Sequence, residues 1–362
     1  MMLTKHITGN RQLGWTEWSS LWRCVPVCLA LILFEGCSVI DENLDDCEDR
    51  AKMDYELRLV TNITTEMETQ LTTQADIQLA SELRTYLSDI FTDFAHDIDL
   101  SFYDTQGDSV RLQHDEHFMD ANQASYTLNL PMREYMHLAT ANILDNALVS
   151  LENDRLCHTS QLHQTDRDTI DSHTTGLFTA RQPMEVLEGV NQNFNVRLYM
   201  ANCSSALVID PQGHSTKGLE VYATGFATRF NICDSSYVFS NLSPIVRTTR
   251  IESLGKDGEV AFCSVTFPSR DPHSTRTVIE TEEPFIATPD EEALWEIRVY
   301  VPHENGTKDE YVLSIKEPIR AGQFKIIRVK MGDGGEIESE SPEVGVSVTL
   351  DWKPGGEYHP EF

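Results

Sequence analysis

Residues 343–352 have the sequence EVGVSVTLDW, and this stretch decides the fold class. Apolar residues alternate along it with polar or small ones. A period of two, rich in β-branched residues, is typical of a strand with one apolar face. We expect this strand either to complete its own sheet or to pair with a second polypeptide chain. The apolar residues that would form the contact are Val344, Val346, Val348, Leu350 and Trp352.

The same period of two recurs in short stretches along most of the chain. One stretch differs: in ADIQLASELRTYLSDIF (75–91) the apolar residues recur every three or four positions, which predicts an amphipathic helix packed on a sheet. Regularly spaced strands with a single helix predict a mainly β protein built from β-sandwiches. The strands are expected at MDYELRLVTN (53–62), DIDLSFYD (97–104), SVRLQ (109–113), ASYTLNLP (124–131), YMHLATANI (135–143), MEVLEG (184–189), FNVRLYMANC (194–203), SALVID (205–210), LEVYATG (219–225), SYVFS (236–240), GEVAFCSVTF (258–267), LWEIRVYVP (294–302), DEYVLSI (309–315) and GQFKIIRVKM (322–331).

Two sandwich domains are expected. The boundary is placed near Gln182 and Pro183, so that residues 51–182 form an N-terminal sandwich with the helix and residues 183–362 form a C-terminal sandwich. Residues 151–175 are polar, rich in histidine and without a period. They are expected to form a long loop before the boundary.

The charge excludes one class of partner. The 362 residues carry 58 acidic against 28 basic side chains, a formal net charge of −30. Such a chain is repelled by phosphates, so nucleic acid is not a predicted partner.

The longest apolar run, VPVCLALILF at 25–34, has ten residues. It is too short for a membrane-spanning helix and fits the apolar region of a signal peptide.

The segment around this run resembles a bacterial lipoprotein signal. Arg23 precedes the apolar run, and Gly36 stands before Cys37. The resemblance implies that residues 1–36 are removed and that Cys37 receives a diacylglycerol and an N-acyl lipid. Glu35 and Phe34 depart from the pattern, which has a small or apolar residue and a leucine there. The alternative is an ordinary secretory signal cut elsewhere, with Cys37 free to form a disulfide.

The residues that follow are strongly acidic. Residues 37–50, CSVIDENLDDCEDR, contain six carboxylates and one arginine. A segment of this composition stays solvated, so we interpret it as a tether. Acidic residues directly after a lipidated cysteine are also similar to the surface-export signal of some outer-membrane lipoproteins.

The remaining cysteines leave their pairing open. Five stand after Cys37, so an exported chain would keep at least one unpaired. Two bridges and one free thiol can be drawn in several ways, and buried thiols acting as small apolar groups are an equal alternative. The five are Cys47, Cys157, Cys203, Cys233 and Cys263.

Signatures of catalysis are missing from the sequence. It lacks GxSxG, HExxH, Walker-type and dinucleotide-binding motifs, so no enzyme activity, cofactor or small-molecule substrate is predicted. The densest titratable cluster, residues 114–117 (HDEH), is expected in a solvated turn. His158, His163 and His173 share the predicted loop. No metal site is predicted from either group.

Nine stretches together resemble one family. The chain is similar, in order along nearly its whole mature length, to the FimB-type fimbrial anchor subunits of type V fimbriae. The stretches are CSVIDENLDDC (37–47), DYELRLVTNITTEMETQL (54–71), LSDIFTDFAHDIDLSFYD (87–104), YMHLATANI (135–143), TGLFTAR (175–181), LYMANCSSALVID (198–210), VYATGFATRFNICDS (221–235), PIVRT (244–248) and VGVSVTLDWKPGGEY (344–358).

The resemblance implies two tandem transthyretin-like β-sandwich domains and no catalysis. It implies a lipid-anchored protein of the cell outer membrane, exposed at the base of the fimbrium, which tethers the fimbrium and limits its length. The implied partners are fimbrial shaft or accessory subunits, joined by strand pairing. Residues 54–62 would stay in place as a strand continuous with the tether. One alternative is a tip adhesin or a surface glycan-binding lipoprotein. Trp295 and Trp352 argue against it, because they fall in strand patterns and not in loops. The other alternative is a metal-dependent enzyme.

Overall fold

A computed structural model describes most of the chain after residue 49. It covers residues 50–60, 69–71, 73, 75–91, 95–118, 125–144, 146–188, 192–240, 243–252, 258–280, 292–340 and 344–352. The predicted signal peptide, Cys37 and most of the tether lie outside these residues. No helix in the described ranges is long and apolar enough to cross a bilayer.

The described residues are mainly β, as predicted. They contain the helix α1 (Ile77–Ile90) and a short 3-10 turn at Cys157–Thr159. The strands are β1 (Arg50–Val60), β2 (Asp97–Asp104), β3 (Arg111–Phe118), β4 (Ser125–Pro131), β5 (Glu134–Ala141), β6 (Val149–Glu152), β7 (Gln161–Gln164), β8 (Thr169–Asp171), β9 (Phe178–Glu185), β10 (Gln192–Met200), β11 (Cys203–Asp210), β12 (Glu220–Thr224), β13 (Arg229–Asn231), β14 (Ser236–Phe239), β15 (Ile245–Arg247), β16 (Thr249–Glu252), β17 (Val260–Thr266), β18 (Thr277–Ile279), β19 (Trp295–Pro302), β20 (Lys308–Ile315), β21 (Phe324–Met331), β22 (Ile337–Ser339) and β23 (Val344–Trp352).

These strands form four sheets. The first has the order β3-β2-β5-β9-β10-β1-β4 and the second the order β16-β17-β11-β21-β22. The third has the order β23-β20-β19-β12-β15-β8 and the fourth the order β18-β14-β13-β7-β6. Most neighbours are antiparallel, but four pairs are parallel: β1 with β10, β11 with β21, β14 with β18 and β15 with β8.

The helix forms where its period predicted it, within two residues at each end. The Asp76 carboxylate caps it by accepting the Leu79 amide hydrogen at 2.6 Å, a contact that satisfies one of the unpaired donors of a helix start. Leu79, Leu83 and Leu87 lie on the buried stripe. They join a core with the first and second sheets.

The second sheet lies between this core and a second core. Along β11, Ala206 and Val208 face the core of the helix and the first sheet, whereas Leu207 and Ile209 face a second core shared with the third sheet. A strand with both faces buried is expected to be continuously apolar. That explains why ALVI carries no alternation in the sequence.

The predicted loop at residues 151–175 is wrong. It contains β7, which pairs with β6 and β13, and β8, which pairs with β15. Strands of three or four residues are too short to reveal a period. His173, which was placed in this loop, is 1% exposed.

The predicted boundary lies within a continuous strand. Gln182 and Pro183 both belong to β9 and pair with His137 and Met136 of β5. Strands on opposite sides of the boundary also share sheets: β10 lies in the first sheet, and β7 and β8 join the fourth and third. The division into two sandwich domains stays a prediction.

Candidate functional site

The candidate interface strand lies at an edge. β23 is the first strand of the third sheet and pairs only with β20 among the described strands. The register places Val344 opposite Ile315, Val346 opposite Leu313 and Val348 opposite Tyr311. An edge strand leaves one row of backbone N–H and C=O groups available for another strand. The sequence period predicted the strand but not its place in the sheet.

Burial changes along this strand. Val344 is 8% exposed and belongs to the core between the second and third sheets, whereas Val346 is 37% exposed. The register shifts between Lys308 and Glu310 of β20, opposite Trp352 and Thr349. Such an irregularity interrupts strict pairing and increases local twist. The backbone of Leu350 and Trp352 lies in β23, and their side chains lie outside the described structure.

A buried ion cluster supports the strands behind this edge. Arg298 of β19 donates from one guanidinium nitrogen to Glu296 at 3.2 Å and from another to Glu310 of β20 at 3.1 Å. Tyr300 donates its hydroxyl hydrogen to Glu310 at 2.6 Å. Glu296 is 0% exposed, and the guanidinium of Arg298 offsets its charge. The cluster ties β19 to β20, the direct neighbour of β23.

The strand that follows the predicted tether is paired with a neighbour on both sides. β1 pairs with β10 from Met53 to Val60 and with β4 from Arg50 to Glu56. Asp54 and Glu56 are exposed, as the alternation predicted. Because ladder hydrogen bonds lie across the strand axis, a pull along β1 would load many of them together.

The residues 114–117 are not in a turn, so that prediction is wrong. They lie in β3, where His114 and Glu116 share a face because side chains of a strand alternate. The Asp99 carboxylate of β2 meets His114 Nε2 at 2.6 Å, and Glu116 lies 3.5 Å from the same nitrogen. The period of two could have placed His114 and Glu116 together. Nothing in the sequence could have added Asp99.

Both carboxylate oxygens of Asp99 have hydrogen-bond partners in or beside this cluster. The other Asp99 oxygen accepts from the Asn153 side-chain amide at 2.6 Å. Burial raises the pKa of Asp99, and the hydrogen bond and charge of His114 oppose that rise. The group types would suit a divalent cation, but the hydrogen bonds within the cluster account for the arrangement.

The three histidines of the predicted loop have separate partners. His163 contacts Asp166 at 3.1 Å, and His158 is exposed. His173 contacts Gln164 and Asn202 in the interior. The structure does not gather them into one site.

A cationic cavity lies between the first and fourth sheets. Its volume is about 560 Å³, and its lining includes Arg181 of β9, Arg197 of β10 and Arg276 before β18. None of the three arginines forms an ion pair with a described carboxylate. Tyr199, which is 53% exposed, and Tyr237 also line it. Arginine and tyrosine in a cavity of this size suit an anionic ligand.

Comparison with known proteins gives similarity to solved structures only. No protein-family model and no curated protein matches the chain. A candidate adhesin from Bacteroides thetaiotaomicron is 10% identical, covers 83% of this chain and 97% of its own, and has a TM-score of 0.49. The fimbrial anchor protein Mfa2 from Porphyromonas gingivalis is 11% identical, with coverage of 84% and 98% and a TM-score of 0.45.

The tip fimbrial protein Mfa3 from Porphyromonas gingivalis is 12% identical to this chain. The match covers 84% of this chain and 100% of that one, with a TM-score of 0.40. With identities and TM-scores this low, the likeness assigns neither a family nor a function.

Proposed function

We propose that this protein is the lipid-anchored basal subunit that attaches a fimbrium to the outer membrane and limits its length. The observation that carries the proposal is the edge position of β23 in the third sheet. The resemblance of nine sequence stretches to FimB-type anchor subunits supports it, as does the lipoprotein-like segment ending at Cys37. The role requires no enzyme activity, cofactor or small-molecule substrate.

Attachment to the neighbouring subunit is by strand addition. An extended segment of a shaft or accessory subunit would pair with the outer edge of β23 and so extend the third sheet. Main-chain hydrogen bonds supply affinity in this mode, and alternate side chains supply specificity. The exposed Val346 offers apolar surface where such a segment would lie.

Attachment to the membrane is through the tether. Each methylene of an acyl chain on Cys37 would contribute about 0.8 kcal/mol to the free energy of membrane binding, and two or more chains give stable anchoring. The acidic residues after Cys37 stay solvated and lead into β1. Because β1 is paired on both sides, tension on the tether would meet a central strand and not an edge strand.

The double substitution V346D/V348D tests the strand. Two carboxylates on the edge would oppose pairing with an apolar segment, because the charges would have to be desolvated. We expect cells that carry this variant to release fimbriae into the medium, while the variant itself stays in the membrane fraction. The measurement is immunoblotting of fimbriae in cells and medium, with electron microscopy of the cell surface.

The matched control is V278D/I279D. These residues are 37% and 45% exposed and belong to β18, one of the two edge strands of the fourth sheet. The control should keep fimbriae on the cells. Normally anchored fimbriae with V346D/V348D would contradict the assignment of β23.

The cationic cavity favours a second candidate function. Arg181, Arg197 and Arg276 together with exposed Tyr199 would suit an anionic saccharide, as expected for a tip adhesin or glycan-binding lipoprotein. Deleting the gene distinguishes the two functions. Fimbriae detached in the medium indicate the anchor, whereas normally attached fimbriae with lost adhesion indicate the adhesin.

A further inference from the structure

Two cysteines distant in sequence meet in the structure. The Sγ atoms of Cys157 and Cys233 lie 2.8 Å apart across a sequence separation of 76 residues. Cys157 lies in the 3-10 turn before β7, and Cys233 lies two residues after the end of β13. The distance is far below an ordinary thiol–thiol contact and exceeds a disulfide bond by roughly 0.8 Å.

The backbone around the two cysteines holds them together. β13 pairs with β7, with Asn231 opposite Gln161. The Ile232 amide donates to the Ser160 carbonyl at 3.0 Å. On the other side, the Cys157 amide donates to the Ser109 carbonyl at 3.0 Å. The strand register and these backbone hydrogen bonds therefore hold the two cysteine positions next to each other.

We propose that Cys157 and Cys233 form the disulfide bond of the exported protein. The oxidant is a disulfide donor, either a protein disulfide of the export compartment or a small disulfide such as oxidised glutathione. One cysteine thiolate attacks a sulfur of the donor and displaces the first donor thiolate. The other cysteine thiolate then attacks the mixed disulfide and displaces the second. Two protons pass from the cysteines to the donor, which leaves as two thiols while the protein gains one S–S bond.

The surroundings identify Cys233 as the first nucleophile. Cys157 is 3% exposed, whereas Cys233 is partly exposed. A hydrogen bond from Cys157, and then the charge of Arg181, lower the pKa of Cys233 against the opposing effect of burial. The hydrogen bond to Cys233 and burial raise the pKa of Cys157. Because thiolates are the attacking species in thiol–disulfide exchange, Cys233 would react first.

The other described cysteines lack these features. Cys203 and Cys263 are 1% and 0% exposed. Burial raises the pKa of both thiols. Cys203 directs its sulfur at the Phe267 carbonyl at 3.5 Å. Both residues are expected to stay reduced, which selects one bridge among those the sequence allowed.

The pairing is tested on the purified mature protein. The protein is treated with oxidised glutathione or with dithiothreitol, denatured, alkylated, digested without reduction and examined by mass spectrometry. We expect a linked peptide pair containing Cys157 and Cys233 only after oxidation, with alkylated Cys203 and Cys263 in both samples. Alkylated Cys157 and Cys233 after oxidation, or a bridge from either of them to another cysteine, would overturn the proposal.

Thermal unfolding supplies a second measurement. A bridge that closes a loop of this length should raise Tm by about 5–10 °C relative to the reduced protein. The variant C157S/C233S should lose that difference, and C203A should keep it. A double variant whose Tm still falls on reduction would contradict the pairing. Neither measurement depends on fimbrial anchoring, so failure of the proposed function would leave this result standing.

Discussion

Replacing Arg298 with methionine is expected to lower the free energy of unfolding by about 3–5 kcal/mol at neutral pH. The guanidinium lies between Glu296 and Glu310, and all three groups are under 10% exposed. Methionine fills much of the space but removes the positive charge. Two carboxylates would then remain in a buried site with their counter-ion lost, which is the costly case for buried ion pairs.

Two further variants make this prediction specific. Lys316→Met removes an exposed pair with Glu292, whose side chains are 46% and 80% exposed, and should change the free energy of unfolding by less than about 1 kcal/mol. The triple variant E296Q/R298M/E310Q removes all three charges and should recover most of the loss. Urea unfolding at neutral pH measures each value. An R298M variant as stable as the Lys316 variant would show that the cluster contributes little.

Acidification is expected to destabilise the fold between pH 6.5 and 4 through two buried histidines. Burial lowers the pKa of His137 and of His173 to about 4, from 6.5 for an exposed histidine. The unfolded chain therefore binds protons at a pH where the folded chain does not, so stability is complete above pH 6.5 and is lost as the pH falls toward 4. Each histidine would contribute about 3 kcal/mol to this loss.

Burial keeps both rings neutral by lowering their pKa values, and each neutral ring has hydrogen-bond partners in the interior. The Asn202 amide donates to His173 Nδ1 at 2.7 Å, and Nε2 of the same ring donates to Gln164 at 3.0 Å. A second ring proton would face the Asn202 donor. His137 donates from Nδ1 to the Ser101 carbonyl at 3.1 Å and stacks on Phe102 with ring centres 4.5 Å apart. The hydrogen bond to Ser101 raises the pKa of His137 and so opposes part of the effect of burial, which remains the larger of the two.

Urea unfolding at a series of pH values between 7.5 and 4 measures this effect. Both H137Q and H173Q should be less stable than the parent at pH 7.5 yet show a smaller loss per pH unit below 6.5. His158→Gln changes an exposed histidine and should keep the parent slope. An unchanged slope in both buried-site variants would contradict the account, even if their stability fell.

Local pattern predicted the elements whose signals are local. The period of two gave β1, β2, β5 and β23 nearly at their observed bounds, and the period of three to four gave α1. The mainly β class followed from the spacing of these elements. A continuous apolar run such as that of β11 could be recognised as buried, but the sequence does not show that its two faces belong to different cores.

The sequence could not predict which distant segments pair with each other. β7 and β8 are too short to show a period, so the pairing of residues 161–171 with β13 and β15 was missed. The approach of Cys157 to Cys233 depends on that pairing. The edge position of β23 likewise depends on where β20 lies, which is a property of the sheet and not of either strand.

The candidate site depends both on local sequence pattern and on the pairing of distant segments. The sequence predicted Cys37 as the lipidation site by its motif and the candidate interface residues by alternation, whereas the edge position of β23 comes from the sheet order. The three arginines of the cationic cavity are spread over 95 positions between Arg181 and Arg276. No sequence pattern joins them, because β9, β10 and the segment before β18 meet only in the folded chain.

The measurement that tests the central claim most directly is the intact mass of the protein extracted from membranes, beside a Cys37→Ser variant. The account predicts a mature chain that begins at Cys37 and carries the added mass of acyl chains. In the variant, both the added mass and membrane retention should be lost, and fimbriae should appear in the medium. A parent chain cut elsewhere, without lipid and released from the membrane, would contradict the anchor function.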